Sequence, residues 1–137
     1  MSLVLDSSVA LGWCFEDQHT AAMKLVLQQV VEAGALAPQL WPLEVLNGLA
    51  MAERRGRLDT PTRERLEGFL RELPVALDDD TGPDAWTRTV PLAHRFQLSV
   101  YAAAYLELAQ RQQLPLASMD ESLRRAGTEL GLTVLGL

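Results

Sequence analysis

The chain has 137 residues, 48% of them apolar, and a formal net charge of −6, so we expect one globular domain over residues 1–137. No apolar run approaches the roughly 20 residues of a membrane span and no basic segment precedes an apolar one at the N-terminus, so the expected location is the cytoplasm. The acidic balance argues mildly against a nucleic-acid binder, which usually presents a basic face. The single cysteine, Cys14, excludes an internal disulfide and is interpreted as a small core residue.

Apolar patterning predicts alternating strands and helices along the chain. Short buried strands are predicted at residues 2–6, 35–37, 74–77, 114–117 and 132–135. Helices are predicted directly after residue 6, over about 20–33, from 41 to 56, from 60, through 86–93, from 99, and over 118–127, with an acidic turn at 78–83. Gly34 is expected to end the second helix because it can adopt a positive φ. This alternation indicates an α/β sandwich with a mainly parallel sheet of four or five strands.

Three acidic residues end a predicted strand or begin the helix that follows one. Asp6 ends the first strand, Glu44 lies just after Trp41-Pro42, and Asp120 lies at the start of the last helix. In a parallel sheet the carboxyl ends of the strands share one edge, and ligands of α/β proteins bind there. We therefore expect these three acids to converge at one edge of the sheet.

Each acid taken alone has a structural interpretation that is at least as good. Asp6 and Asp120 can each be a helix N-cap, and Glu44 can favour the positive end of a helix dipole. Ser118 with Glu121 also fits a capping box for the last helix. The joint placement favours a cation site, because crowded carboxylates repel one another, and oxygen-only ligands favour Mg²⁺ or Mn²⁺ over zinc.

Four segments resemble, in order, the successive blocks of a PIN domain, specifically the VapC-type toxins of bacterial toxin–antitoxin pairs. They are LVLDSSVALGW, APQLWPLEVLNGLAMAERRGRL, LSVYAAAYLELA and LPLASMDESLRRAG. Each block alone is weakly specific, but the ordered set covers nearly the whole chain. The resemblance implies a PIN-like three-layer sandwich and a Mg²⁺- or Mn²⁺-dependent endoribonuclease that forms a homodimer and is inhibited by a VapB-type antitoxin.

The resemblance also implies which residues carry the activity. The first acid of the family matches Asp6, the second matches Glu44 and the acid of the last block matches Asp120, so these would bind the metal and activate a water as nucleophile. Asn47, one helical turn after Glu44, matches a polar position often seen in the family. The arginine clusters are mainly interpreted as solvated helix faces, and Arg54 or Arg55 is a weak candidate for holding RNA phosphates.

The third block departs from the family pattern. The family typically has Tyr-Asp-Ala there, whereas this chain has Tyr101-Ala102-Ala103, so one expected acid is absent. Glu107 lies five residues further along the same helix and faces elsewhere, so it is not interpreted as a replacement. The expected function is a metal-dependent endoribonuclease toxin impaired by Ala102. The alternative is a non-catalytic PIN-like protein that acts by binding a partner protein or RNA.

Overall fold

A five-stranded parallel sheet forms the centre of the molecule, in the order β3-β2-β1-β4-β5. The computed structural model describes the backbone of residues 1–137 and every side chain except that of Glu16. The strands are β1 (Val4–Leu5), β2 (Ala35–Pro38), β3 (Val75–Asp78), β4 (Leu116–Ala117) and β5 (Val134–Leu135). The predicted α/β class and the predicted parallel sheet are confirmed.

Eight α-helices connect and cover the strands. They are α1 (Ser7–Cys14), α2 (Ala21–Ala33), α3 (Trp41–Arg54), α4 (Thr60–Glu72), α5 (Thr81–Asp84), α6 (Val90–Phe96), α7 (Val100–Gln112) and α8 (Glu121–Glu129). A short 3₁₀ segment at Glu16–Gln18 and a π-helical segment at Ala85–Thr89 complete the regular structure. Among the described residues, no helix has the length and hydropathy that a membrane span needs.

The strand order explains how the helices are divided between the two faces of the sheet. Crossovers between parallel strands are right-handed, so the connections β1→β2→β3 place α1–α4 on one face. The connections β3→β4→β5 run the other way and place α5–α8 on the opposite face, where α7 packs on β1, β2 and β4. The direction of winding therefore reverses between β1 and β4, and this is where α/β folds leave a crevice at the carboxyl edge.

Burial explains how strands of only two residues can form the centre of a stable sheet. Val4 and Leu5 of β1 are fully buried, as are Leu116 and Ala117 of β4. Central strands of a parallel sheet are covered by helices on both faces, so a continuous apolar run is favourable there. The core position of β1 fixes where the next residue, Asp6, must lie.

Several helix boundaries follow the local signals in the sequence. Gly34 has φ +76° directly after α2, as predicted. The capping box predicted for Ser118 and Glu121 is wrong, because α8 begins at Glu121 and Asp120 is its N-cap. The acidic turn predicted at 78–83 is wrong in part, since β3 extends to Asp78 and α5 begins at Thr81.

A buried ion-pair cluster fastens α7 to the end of β3. The guanidinium of Arg111 lies 2.6 Å from Asp78, 2.8 Å from Glu107 and 3.1 Å from Asp84. The Asp78 and Glu107 side chains are only 8% and 5% exposed. Burying two carboxylates this deeply is tolerable because one guanidinium donates hydrogen bonds to both.

Replacing Arg111 with Met should therefore destabilise the fold by about 3 kcal/mol, because Asp78 and Glu107 would stay buried without a counter-charge. Arg125→Met is the matched control, since the Arg125–Glu121 pair at 3.0 Å is 68% and 87% exposed and should contribute less than about 1 kcal/mol. Urea unfolding of both variants at neutral pH measures the difference. Equal losses would show that the buried cluster contributes no more than a surface pair.

Candidate functional site

An open cleft of about 340 Å³ lies at the carboxyl edge of the sheet and brings together the positions singled out in the sequence. Asp6, Glu44, Asp120 and Ala102 all line it. Asp6 follows β1 directly, Asp120 lies three residues after β4, and Glu44 lies in the first turn of α3. Ala102 lies in the first turn of α7. Four distant segments therefore meet at the crevice that the strand order creates.

Asp6 is the most deeply buried acid of the cleft, with 6% of its surface exposed. It occupies the N-cap position of α1, yet its carboxylate accepts no capping hydrogen bond. Its Oδ2 instead accepts hydrogen bonds from the hydroxyl of Ser8 at 2.5 Å and from that of Ser118 at 2.8 Å. The capping interpretation of Asp6 is therefore wrong, and two hydroxyls orient the carboxylate.

Burial raises the pKa of Asp6 above its ordinary value of 3.8. The hydrogen bonds from Ser8 and Ser118 act in the opposite direction, and the negative charges of Glu44 and Asp120 raise the pKa further. A buried carboxylate whose nearest charges are two further carboxylates is costly to ionise. A cation in the cleft would remove that cost.

Glu44 is held by a residue from the opposite helical layer. The hydroxyl of Tyr105, on α7, donates a hydrogen bond to Glu44 Oε1 at 2.6 Å. Tyr105 is 1% exposed and its ring belongs to the core. Burial, followed by the hydrogen bond to Glu44, raises the pKa of Tyr105 far above its ordinary value, so its hydroxyl keeps its proton and acts as a fixed donor.

Asp120 serves both the helix and the cleft. Its Oδ1 accepts from the backbone N–H of Leu123 at 2.8 Å, which caps α8. The backbone N–H of Asp120 donates to the Ser118 hydroxyl at 3.0 Å, and that hydroxyl in turn donates to Asp6. Ser118 therefore couples the two acids that follow β1 and β4.

Position 102 lies where a side chain of the first helical turn would reach the cleft. Ser99 is the N-cap of α7, and its hydroxyl accepts from the Ala102 N–H at 3.0 Å. Residue 102 is thus the third helical residue, and its methyl group is part of the cleft wall. Alanine is a good helix former, so the helix start does not depend on an acid there.

The donor set of the cleft fits a hard divalent cation in its chemistry. Its carboxylate and hydroxyl oxygens are the ligands that Mg²⁺ and Mn²⁺ prefer, and none of the described side chains that line it is Lys, Arg or His. In the arrangement present, however, no three carboxylate, His or Cys side chains of the described residues lie close enough to hold one ion. Asp120 is turned toward its cap, so ligation by the three acids together needs side-chain movement.

Other residues named from the sequence do not reach the cleft. Asn47 is exposed on α3 and does not line the cleft. Arg54 and Arg55 are exposed at the far end of α3, about 15 Å along the helix from Glu44. Glu107 faces away, as predicted, and belongs to the Arg111 cluster.

Sequence reasoning missed the hydroxyl groups that orient the acids. Ser8, Ser118 and Tyr105 each donate to a cleft carboxylate. Ser118 carries a usable signal, because it directly follows β4 as Asp6 follows β1. Tyr105 carries none, since its partner is 61 residues away and the contact depends on how α7 crosses the sheet.

A separate apolar groove of about 680 Å³ lies between α3, α4 and the edge strand β3. Its lining includes Trp41, Leu46, Leu70 and Leu77. The Nε1 of Trp41 is buried and has no hydrogen-bond partner among the described residues. A buried N–H without an acceptor costs free energy.

Replacing Asp6 with Asn should stabilise the metal-free protein near neutral pH, because a charge is no longer buried beside Glu44 and Asp120. The pKa of Asp6 is raised in the folded state, so its ionisation costs stability increasingly as the pH rises above 3.8. Thermal melting in EDTA should give a Tm a few degrees above the parent's near neutral pH, with the difference shrinking toward acid. Asp79→Asn, at an exposed position, is the control. A difference that falls with rising pH would contradict the electrostatic account.

Known proteins share the fold described above. The family model for the PIN domain matches residues 3–129. The structure of PAE2754 from Pyrobaculum aerophilum superposes with a TM-score of 0.71 at 18% identity, over 98% of this chain and 83% of that one. FitAcB from Neisseria gonorrhoeae superposes with a TM-score of 0.66 at 13% identity, over 96% and 95%. No curated protein matches the sequence. The chain belongs to the PIN domain family.

Proposed function

We propose that this chain is a metal-dependent endoribonuclease toxin of a toxin–antitoxin pair, impaired by alanine at position 102. Residues 1–137 would act as one PIN-like domain in the cytoplasm, with Mg²⁺ or Mn²⁺ as cofactor and RNA as substrate. PIN domains are generally nucleases, and the ordered sequence blocks resemble VapC-type toxins in particular. The observation that carries the proposal is that Asp6, Glu44 and Asp120, from three distant segments, line one cleft.

The residues of the cleft would have two roles, metal ligation and orientation of a ligand. Asp6, Glu44 and Asp120 would hold the ion, and the Ser8 and Ser118 hydroxyls would keep Asp6 Oδ2 oriented. A bound divalent ion supplies charge stabilisation at a phosphodiester oxygen and lowers the pKa of an attacking water. Since the cleft is lined by acids and is open to solvent, an RNA phosphate would be repelled until a cation neutralises it.

The missing acid accounts for the proposed impairment. With alanine at 102, a hard cation has one anionic oxygen fewer than the family pattern supplies. Repulsion within the metal-free cleft is also smaller, because three acids rather than four face one another. The chain would therefore bind metal weakly and cleave RNA slowly or not at all.

A VapB-type antitoxin is the proposed partner. The apolar groove is suited to an apolar segment of this partner. The acid-lined cleft is suited to an arginine of the same partner, which could pair with Asp6 or Glu44 in place of the metal. The arginine contact would keep RNA away from the acids.

The alternative is a PIN-like protein without catalysis that acts by binding a partner protein or RNA. Ala102 is the feature that favours it, because a binding role does not need a complete metal site. A titration of Mg²⁺ in an RNA cleavage assay separates the two functions. Metal-independent RNA or partner binding without cleavage, in this chain and after restoring an acid at 102, would favour the alternative.

Replacing Ala102 with Asp should raise Mg²⁺- or Mn²⁺-dependent RNA cleavage and make expression toxic. Loss of an outer-shell partner alone changes metal affinity or activity about 10- to 100-fold, so restoring a direct ligand should raise cleavage at least about tenfold. Without metal, the Asp variant should be no more stable than the parent, because it adds a negative charge beside Asp6. Cleavage assays and thermal melts with and without metal measure both effects.

Two controls make this prediction specific. Ala102→Asn adds a similar side chain without the charge and should recover much less cleavage. Asp6→Asn in the Ala102→Asp background should abolish the gain, since both residues would serve one site. If Ala102→Asp changes neither cleavage nor metal-induced stabilisation, position 102 is not part of the site.

A homodimer is the proposed assembly, because large apolar side chains remain exposed on several helices. They include Leu25 and Val31 of α2, Leu43 of α3 and Tyr101 of α7, each at least 61% exposed. Light scattering at tens of micromolar should give twice the chain mass of 15.1 kDa. Leu43→Glu should lower the mass if α3 lies in the interface. A monomer mass for the parent would overturn the proposed assembly.

A further inference from the structure

Glu44 differs from the other two acids in what holds it in place. Asp6 accepts two hydroxyl hydrogen bonds, and Asp120 is tied to the backbone of its own helix. Glu44 lies in the first turn of α3 at a half-buried position. Among the described residues, the only hydrogen bond to its carboxylate comes from Tyr105 at 2.6 Å. The orientation of Glu44 therefore depends on one phenol.

Tyr105 has the properties of a rigid support. It is 1% exposed, its ring packs in the core, and it sits on α7, which packs on three strands of the sheet. It also follows Ala102 by three residues, so both lie on the same face of α7 and line the same cleft. The helix that lacks an acid at 102 thus contributes a hydroxyl one turn later.

We propose that Tyr105 is a positioning residue for the metal site, holding Glu44 Oε1 so that the second carboxylate oxygen stays available to a cation. This role rests on the metal-dependent function proposed above. Tyr105 itself touches neither the substrate nor the ion. It fixes the one ligand that would otherwise be free to turn into solvent.

The energetic reason is the ordering of a flexible side chain. Glu loses much rotamer freedom when it is immobilised, and without the Tyr105 hydroxyl that loss would accompany metal binding. Partners that orient metal ligands commonly change affinity about 10- to 100-fold when removed. A tyrosine that served only the core would satisfy its own hydroxyl with Glu44 and leave metal affinity unchanged when replaced by Phe.

The test is Mn²⁺ affinity, measured by the EPR signal of free Mn²⁺ in the unmodified chain and in the Ala102→Asp background, where binding should be tighter. Tyr105→Phe should weaken Mn²⁺ binding about 10- to 100-fold. Tyr101→Phe is the matched control, because Tyr101 lies on the same helix and lines the same cleft but is 66% exposed and donates to no cleft acid among the described contacts. It should leave the affinity unchanged.

Two further variants show whether the effect passes through Glu44. In a Glu44→Gln background, which lacks the anionic ligand, Tyr105→Phe should cause no additional loss of Mn²⁺ affinity. Glu44→Asp keeps the charge but is one methylene shorter, so it loses reach to the phenol and should also bind Mn²⁺ more weakly. It replaces Tyr105→Phe as the test if melting in EDTA shows that the Phe variant does not fold.

The outcomes separate this inference from the function on which it rests. If the parent and Ala102→Asp both bind no Mn²⁺, the proposed metal site fails and the positioning role fails with it. If they bind Mn²⁺ and Tyr105→Phe binds equally well, the metal site stands and the positioning role is overturned. An equal loss in the Glu44→Gln background would also overturn it, because the effect would then not act through Glu44.

Discussion

The buried carboxylate of Asp6 is the constraint on which the rest of the site depends. The fold puts it at the end of the central strand, between helices on both faces, where ionisation is costly. Two hydroxyls stabilise the charged form, but Glu44 and Asp120 oppose it. An apolar residue at this position would favour stability more than a carboxylate does, and under the proposed function a bound cation would remove that cost.

The same reasoning gives Ala102 two opposite effects. A carboxylate at the third position of α7 would add a charge to a cleft that already disfavours the ionised form of Asp6, so alanine eases the metal-free fold. Under the proposed function the cleft has one oxygen ligand fewer at the same point, so the metal-bound state would be weakened. Stability without metal and affinity for metal would therefore change in opposite directions at this position, as is common where a functional site costs the fold stability.

The fold and the convergence of the acids could be predicted because both follow from local signals and one topological rule. Buried apolar runs, Gly34 and Pro42 mark elements, and parallel strands share a carboxyl edge, which brings Asp6 and Asp120 together. What could not be predicted are contacts that depend on packing. Whether Ser118 caps a helix or donates to Asp6 depends on a boundary three residues away, and boundaries are the least reliable part of sequence reasoning. Asp78 and Asp84 likewise become neighbours of Arg111 only after α7 packs in the folded chain.

These packing contacts also explain how α7 serves the site. Its Arg111 is joined to Asp78 at the end of β3, and its Tyr105 is joined to Glu44 at the start of α3. The two contacts lie on different faces of the helix, since six residues correspond to about 600° of helical rotation, which leaves residues 105 and 111 about 120° apart around the axis. One face fastens the helix to the sheet edge, and the other supports a cleft acid from across the sheet. Because the helix is held at both places, the backbone at position 102 is fixed relative to the ends of β1 and β3, and a side chain there would extend from a fixed point on the cleft wall.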